Sequence, residues 1–282
     1  MPLVTSRQML LGAQRGGYAI AACNVENMEM AQAVILAAEA EKAPVIVQTT
    51  GSTLRYASPF VFAGMVAALA REVSVPIALH LDHGVSFELA ETAVKAGYTS
   101  IMIDGSRLPF EENLTLAKRV VSMASSLVPV EAELGLVGGI EDELESEENA
   151  GTDPKEAAEF VARTGIFSLA VAIGTAHGVY LGAPKLDFKR LAAIRERTDA
   201  PLVLHGASGV PDADVQACIR LGVCKVNIAT ELRIAYTAGV RSFLENNPDA
   251  YDPKQPGKAG MEAVIALARE KIRLVRSSGK AV

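Results

Sequence analysis

The feature of this 282-residue sequence that most constrains its fold is an eightfold alternation of short apolar runs with longer segments of helical period. The runs read YAIAACNV from Tyr18, PVIVQTT from Pro44, PIALHLDHG from Pro76 and SIMIDGS from Ser100. They continue as VEAELG from Val130, SLAVAIGTAHG from Ser168, PLVLHGASG from Pro201 and KVNIAT from Lys225. Short runs of this kind are parallel strands buried on both faces, and parallel strands need crossover helices between them. MEMAQAVILAAEAEK has helical spacing, and SFELAETAVKAG opens on Ser86 as an N-cap. Eight such units fit a closed barrel or a doubly wound sheet. No G-x-G-x-x-G follows the first strand, and polar residues recur at C-terminal strand ends, which favours an α/β chain folded as a (β/α)8 TIM barrel. The reading is one domain over residues 1–282. An extra N-terminal helix covers about Ser6 to Gln14, and a C-terminal helical extension from about Gly260 to Val275 is a cap or an oligomer contact.

With 50% hydrophobic residues the chain can bury one large core. The formal charge of −6 is spread along the sequence without a basic stripe, so nucleic acid is excluded as a partner. No apolar run approaches the roughly 18 residues that span a bilayer. The segment MPLVTSRQML lacks the basic and apolar parts of a signal peptide, so the expectation is a cytoplasmic protein without membrane contact. Cys23, Cys218 and Cys224 are too few and too unevenly spaced for a disulfide framework or a C-x-x-C site and read as reduced packing residues.

Three of the four histidines, His83, His177 and His205, fall at the C-terminal ends of expected strands. In a barrel those ends converge on one mouth, so the three imidazoles can gather as a catalytic zinc site with a position open for water or substrate. His80 lies two residues upstream of Asp82 and reads as packing or as a hydrogen-bonding support. Strand alternation turns Asp82 and His83 in different directions, leaving Asp82 either a general acid/base or a carboxylate that orients an imidazole. Glu131 and Glu133 share a face of the fifth strand, and Asp104 ends the fourth. Glu133 and Asp104 are expected near the metal, as alternative ligands or as partners of lysines. Gly178, the stretch Gly206, Ala207, Ser208, and the stretch Asn227, Ile228, Ala229, Thr230 end strands six to eight. Small residues and hydroxyls there let backbone N–H groups approach a phosphate. The acidic stretch GGIEDELESEENAGTDP, residues 138–154, reads as a mobile active-site loop, and GVYLGAPKLD after His177 as a second loop able to order over a ligand.

The motifs LDHG, EAELGxxGGxED, AIGTAHGVY, LHGASG and KVNIATEL, in this order, resemble the class II fructose- and tagatose-bisphosphate aldolases from the first strand to the eighth. The resemblance implies a lyase that holds Zn2+ on His83, His177 and His205, with Asp82 as acid/base at the bond being broken. It makes Glu141 of GGxED the residue that exchanges the proton on the triose-phosphate carbon. Gly178, Gly206 to Ser208 and Asn227 to Thr230 would bind the dihydroxyacetone phosphate end. A monovalent cation, Na+ or K+, would sit on carbonyls around Ala176, Gly178 and Gly206. A divalent cation chelating the ketone would stabilise the carbanion as an enediolate. An imine-forming lysine is disfavoured, because Lys225 is read as opening its strand and the other lysines fall mainly on helices or loops.

For the substrate, members preferring fructose bisphosphate commonly carry an aspartate where this chain has Ala229, and tagatose-type members resemble this one. Losing one carboxylate contact at the C4 hydroxyl is worth ~1–3 kcal/mol of preference. Arg233 matches the family's ligand for the far phosphate. The expectation is D-tagatose 1,6-bisphosphate cleaved to dihydroxyacetone phosphate and glyceraldehyde 3-phosphate. The alternatives are fructose 1,6-bisphosphate or another ketose phosphate and, more distantly, a non-catalytic sugar-phosphate-binding subunit. The family resemblance further implies a homodimer or homotetramer, with some tagatose-type members using a non-catalytic partner subunit.

Overall fold

The fold was obtained as a computed structural model, which describes residues 3–141, 144–146, 150–180, 182 and 184–281. Its strands are β1 (Ile20–Asn24), β2 (Val45–Thr49), β3 (Ile77–Gly84), β4 (Ser100–Ile103), β5 (Val130–Leu134) and β6 (Gly138–Glu141). They continue with β7 (Leu144–Ser146), β8 (Ser168–Val171), β9 (Ala176–His177), β10 (Leu202–Leu204) and β11 (Val223–Ile228). Eight close into a parallel barrel in the order β1-β11-β10-β8-β5-β4-β3-β2, so the expected (β/α)8 architecture is present. Each of the eight apolar runs supplies one barrel strand. The reason is visible in the burial: β1, β2 and β3 are buried at every residue, as strands covered on both faces must be.

Ser86 caps where the sequence placed it, and a second cap, Asn27, emerges from the structure. Ser86 accepts from the Leu89 N–H at 3.1 Å, and Asn27 accepts from Met30 N–H at 2.9 Å at the head of the helix Met28–Glu41. The N-terminal helix, Ser6–Gly16, ends on Gly17 in the left-handed region and plugs the bottom of the barrel. Its Met9, Leu10 and Ala13 pack with the inward residues Ile20, Ala22, Ile46, Ala78 and Cys224. The C-terminal helix, Lys254–Leu274, lies along the helices Met28–Glu41 and Thr230–Asn246 and buries Val264, Ala268 and Ile272. Val275 just beyond it accepts from the Ala19 N–H at 3.0 Å, which makes this extension a cap of its own barrel.

One segment departs from the loop expected at 138–154. Gly138–Glu141 and Leu144–Ser146 pair antiparallel as a hairpin, and β6 pairs parallel with β9, matching Gly138 with Ala176 and Gly139 with His177. Acidic and glycine-rich composition reads as loop, but the glycines here admit close strand pairing. Among the described residues no helix is long and apolar enough to cross a membrane. The three cysteines are buried free thiols, and burial raises them, Cys23 and Cys218 to about 12 and Cys224 to about 11. They are inert packing groups.

Candidate active site

The mouth of the barrel is organised by an irregularity at the end of β3. The register between β3 and β4 shifts between Leu81 and Gly84, and His83 takes φ 45°. A side chain at Gly84 would put its Cβ 2.5 Å from the Met102 carbonyl oxygen, so only glycine lets the strand press this close. A left-handed histidine costs about 1–3 kcal/mol and persists only where its surroundings hold it. The hold here is a 2.6 Å contact from His83 Nδ1 to Asp104 Oδ2. This geometry overrides the simple alternation expected of Asp82 and His83. Asn227 donates to Asp82 Oδ1 at 3.0 Å and also lies 3.3 Å from a ring nitrogen of His205, so both residues serve one neighbourhood.

His83, His177 and His205 come together. Each offers a ring nitrogen, all within 4.8 Å of one another, and the ring planes stand nearly perpendicular. His205 Nε2 lies 2.9 Å from Glu131 Oε1, and His205 Nδ1 lies 2.8 Å from His83 Nε2. Carboxylates accept, so the protons belong on His83 Nδ1 and His205 Nε2. The two nitrogens facing each other are then both lone-pair donors. They repel unless a cation sits between them, and the donor set of three imidazoles is one that zinc takes. The surrounding charge agrees: Asp82, Glu131, Glu133 and Asp104 face the same interior, with Lys225 the one ammonium among the described residues there, an excess of negative charge that favours a cation. A second group, His83 with Asp104 and Glu133, offers an alternative donor set.

Burial favours the neutral form of His205, and His80 is lowered to about 3 by burial first and by the Lys225 ammonium second. For Asp104 burial opposes ionisation, but the His83 contact and the hydrogen bonds from Ser106 together outweigh it and hold the carboxyl well below its usual range. Glu131 follows the same pattern, with burial overcome by Lys225 and His205. Lys225 Nζ donates to both Glu131 oxygens, at 2.9 and 3.1 Å, and lies 3.4 Å from His80 Nε2, while His80 Nδ1 meets Ser100 Oγ at 2.8 Å. His80 is therefore the supporting residue expected. One correction follows: Lys225 is the third residue of β11 and points into the barrel, where it pairs with Glu131, while Glu133 and Asp104 take the other place open to them, in the alternative donor set with His83.

Asp82 has both oxygens engaged, Oδ2 by the Asn24 amide at 2.8 Å and Oδ1 by Asn227, while Gln48 donates to Asn24 Oδ1 at 2.7 Å. Beside it opens a narrow cleft lined by Asn24, His177, Gly178, Gly206, Ala207, Ser208, Asn227, Ala229, Thr230 and Arg233. Ile228 does not join it; its side chain is 3% exposed and packs in the core outside the barrel, as alternation from Asn227 dictates. Ala229 is the N-cap residue of the helix Thr230–Asn246, so the first N–H groups of that helix are near the cleft. Tyr180 pins the two glycine turns, its hydroxyl donating to Gly206 O at 2.8 Å and accepting from Ala176 N–H at 2.7 Å. Glu141 ends β6, and its side chain lies outside the described residues.

Sequence reasoning missed four contributors. Asn24 and Gln48 at strand ends, Tyr180, and the ion pair of Arg233 Nε with Glu26 Oε1 at 2.5 Å all act through partners distant in sequence. Asn24 alone gave a usable signal, being the polar residue that ends the first apolar run.

The model of the family described as fructose-bisphosphate aldolase class-II matches residues 4–280. A fructose-bisphosphate aldolase of Geobacillus stearothermophilus is 46% identical over 285 residues, covering 100% of this chain and 99% of the relative. The D-tagatose-1,6-bisphosphate aldolase subunit GatY of Klebsiella oxytoca is 47% identical over 275 residues, covering 94% and 95%. Among solved structures, the YdjI aldolase of Escherichia coli K12 superposes with a TM-score of 0.88 at 40% identity, covering 99% of this chain and 100% of its own. Matching motifs, a common barrel and full-length similarity agree, and the chain belongs to the class II fructose-bisphosphate aldolase family of lyases.

Proposed function

We propose that this chain is a zinc-dependent aldolase that reversibly cleaves D-tagatose 1,6-bisphosphate to dihydroxyacetone phosphate and glyceraldehyde 3-phosphate. The observation that carries the aldolase chemistry is Asp82, fixed by two amide donors beside three converging imidazoles and a glycine-lined cleft. His83, His177 and His205 would hold the zinc ion, which when bound supplies a Lewis acid for the substrate's ketone and neighbouring hydroxyl. Asp82 takes the proton from the C4 hydroxyl as the C3–C4 bond breaks and returns it to the aldehyde oxygen in the reverse direction. The amides of Asn24 and Asn227 aim its remaining lone pairs at that oxygen. Glu141 is assigned the proton exchange on the triose-phosphate carbon, and β6 joins its arm to the strand that carries His177. Gly178, Gly206, Ala207, Ser208 and Thr230, with the start of the helix Thr230–Asn246, receive the phosphate of the dihydroxyacetone half. A monovalent cation fits the carbonyls of Ala176, Gly178 and Gly206, since the Gly206 oxygen has a second lone pair beyond the one Tyr180 engages.

Ala229 supports the sugar assignment. It stands in the cleft wall, where the aspartate common in fructose-type members would add a carboxylate, and tagatose and fructose bisphosphates differ only at the C4 hydroxyl. The near-equal identity to a fructose- and a tagatose-type relative keeps fructose bisphosphate as the second reading. The test is the ratio of kcat/KM for tagatose over fructose 1,6-bisphosphate with zinc-loaded protein. A ratio above one that falls at least tenfold in Ala229→Asp is expected; a ratio below one in the parent chain would make fructose the substrate. A homo-oligomeric, cytoplasmic enzyme is the accompanying proposal, and size measurement with and without partner subunits checks the first part.

A further inference from the structure

Arg233 is a wall shared by two spaces. On one side is the cleft that holds Ala229 and the phosphate turns; on the other is a more open cavity of about 820 Å³ that also presents Glu26, Ser52, Thr53, Tyr56 and Tyr236. The two spaces meet at Arg233, the residue that the family resemblance gives to the far phosphate, so this second space borders the aldehyde end of the site. Besides Arg233 and the amide of Asn27, its polar lining is hydroxyls and a single carboxylate. That carboxylate, Glu26, is fixed at both oxygens: Oε1 accepts from Arg233 Nε at 2.5 Å, and Oε2 accepts from the hydroxyl of Thr53 at 2.5 Å, with Thr53 itself 3% exposed. Glu26 lies two residues beyond Asn24, so the strand that orients Asp82 also presents it.

We propose that Glu26 is a specificity-determining residue for the aldehyde end of the substrate, weakening the preference of Arg233 for a phosphorylated tail and admitting an unphosphorylated, hydroxylated one. The proposal rests on the aldolase reading and narrows the substrate class at the far end of the same site. A phosphate approaching Arg233 meets a guanidinium already neutralised and a carboxylate of its own sign, which is specificity by repulsion. A sugar tail meets the opposite situation. Its hydroxyls donate to the Glu26 carboxylate and exchange hydrogen bonds with Ser52 and the two tyrosines. Arg233 is 40% and Glu26 31% exposed, so solvent screens the pair and the effect is a bias rather than a block. The bisphosphate is cleaved against this bias.

The experiment condenses dihydroxyacetone phosphate with D-glyceraldehyde 3-phosphate or with unphosphorylated D-glyceraldehyde, using zinc-loaded parent protein and Glu26→Gln. The quantity read is kcat/KM for the phosphorylated over the unphosphorylated aldehyde. It is expected to rise at least tenfold in the variant, through a lower KM for the phosphorylated aldehyde with kcat little moved. Adding Arg233→Ala to that variant returns the ratio to the parent value or below. Glu26→Ala gives the same direction and serves if the glutamine variant does not fold. A ratio that stays within twofold of the parent in both variants overturns the proposal. If the parent condenses neither aldehyde, the aldolase reading fails and the proposal falls with it.

Discussion

At the scale of single residues, the site depends on how Asp82 is held. Replacing it with asparagine keeps its size while removing the proton acceptor, so Asp82→Asn is expected to lower kcat by 10²–10⁴-fold. Zinc stoichiometry, measured by elemental analysis, should stay at the parent value, because the three imidazoles are untouched. Turnover within tenfold of the parent would end the acid/base role. The histidines were readable in advance because position at a strand end is a property of local sequence. What holds them was not. Glu131 grips His205 from 74 residues away and Asn227 reaches Asp82 across 145, and spacing along a chain carries no information about such pairings. His83 shows a further limit: a left-handed backbone at a bulge reverses the direction that simple alternation assigns.

Among elements, the C-terminal helix is fastened to the helix Met28–Glu41 by one acidic residue. Glu41 accepts from Arg269 Nε at 2.8 Å and from Arg273 Nε and Nη2 at 3.0 and 2.6 Å, with a further bond from Ser278. The Arg273 contact foremost, outweighing burial, with Arg269 in support, lowers Glu41 to about 2. A carboxylate held below its ordinary value of about 4.5 stabilises the fold fully above that pH, and the contribution is lost as the pH falls through about 2. Because the guanidinium groups are 41% and 58% exposed, the expected contribution is about 1 kcal/mol. Denaturant titration of Glu41→Gln should show that loss at pH 7 and a shrinking difference on acidification below 4.5; an equal difference at pH 3 and pH 7 would exclude the ion pair as its source. The helix itself begins at Lys254, earlier than the sequence indicates. Pro256 disguises its first turn, where a missing N–H costs nothing. The strands were legible because burial on both faces writes continuous apolar runs, whereas the β6–β7 hairpin, acidic and glycine-rich, carries no such pattern.

Over the whole molecule, the barrel interior changes character along its axis. The plugged bottom is apolar, from Ile20 and Ile46 to Cys224, and the layer above it contains the buried Lys225–Glu131 pair, 1% and 2% exposed. Removing one partner strands the other charge, so Lys225→Met is expected to cost about 3–5 kcal/mol in chemical denaturation of the metal-free protein. Adding Glu131→Gln, which keeps an acceptor for the His205 N–H, should recover most of that loss; a single variant within 1 kcal/mol of the parent would show that the pair is not what stabilises this layer. A different kind of coupling runs through the contact of β6 with β9. Gly139 has φ 94°, and a Cβ there would lie 2.2 Å from the carbonyl oxygen of His177. The arm that carries Glu141 is thus spaced from the segment that carries His177 by the bare backbone of one glycine, and any side chain at position 139 would force one of the two to move.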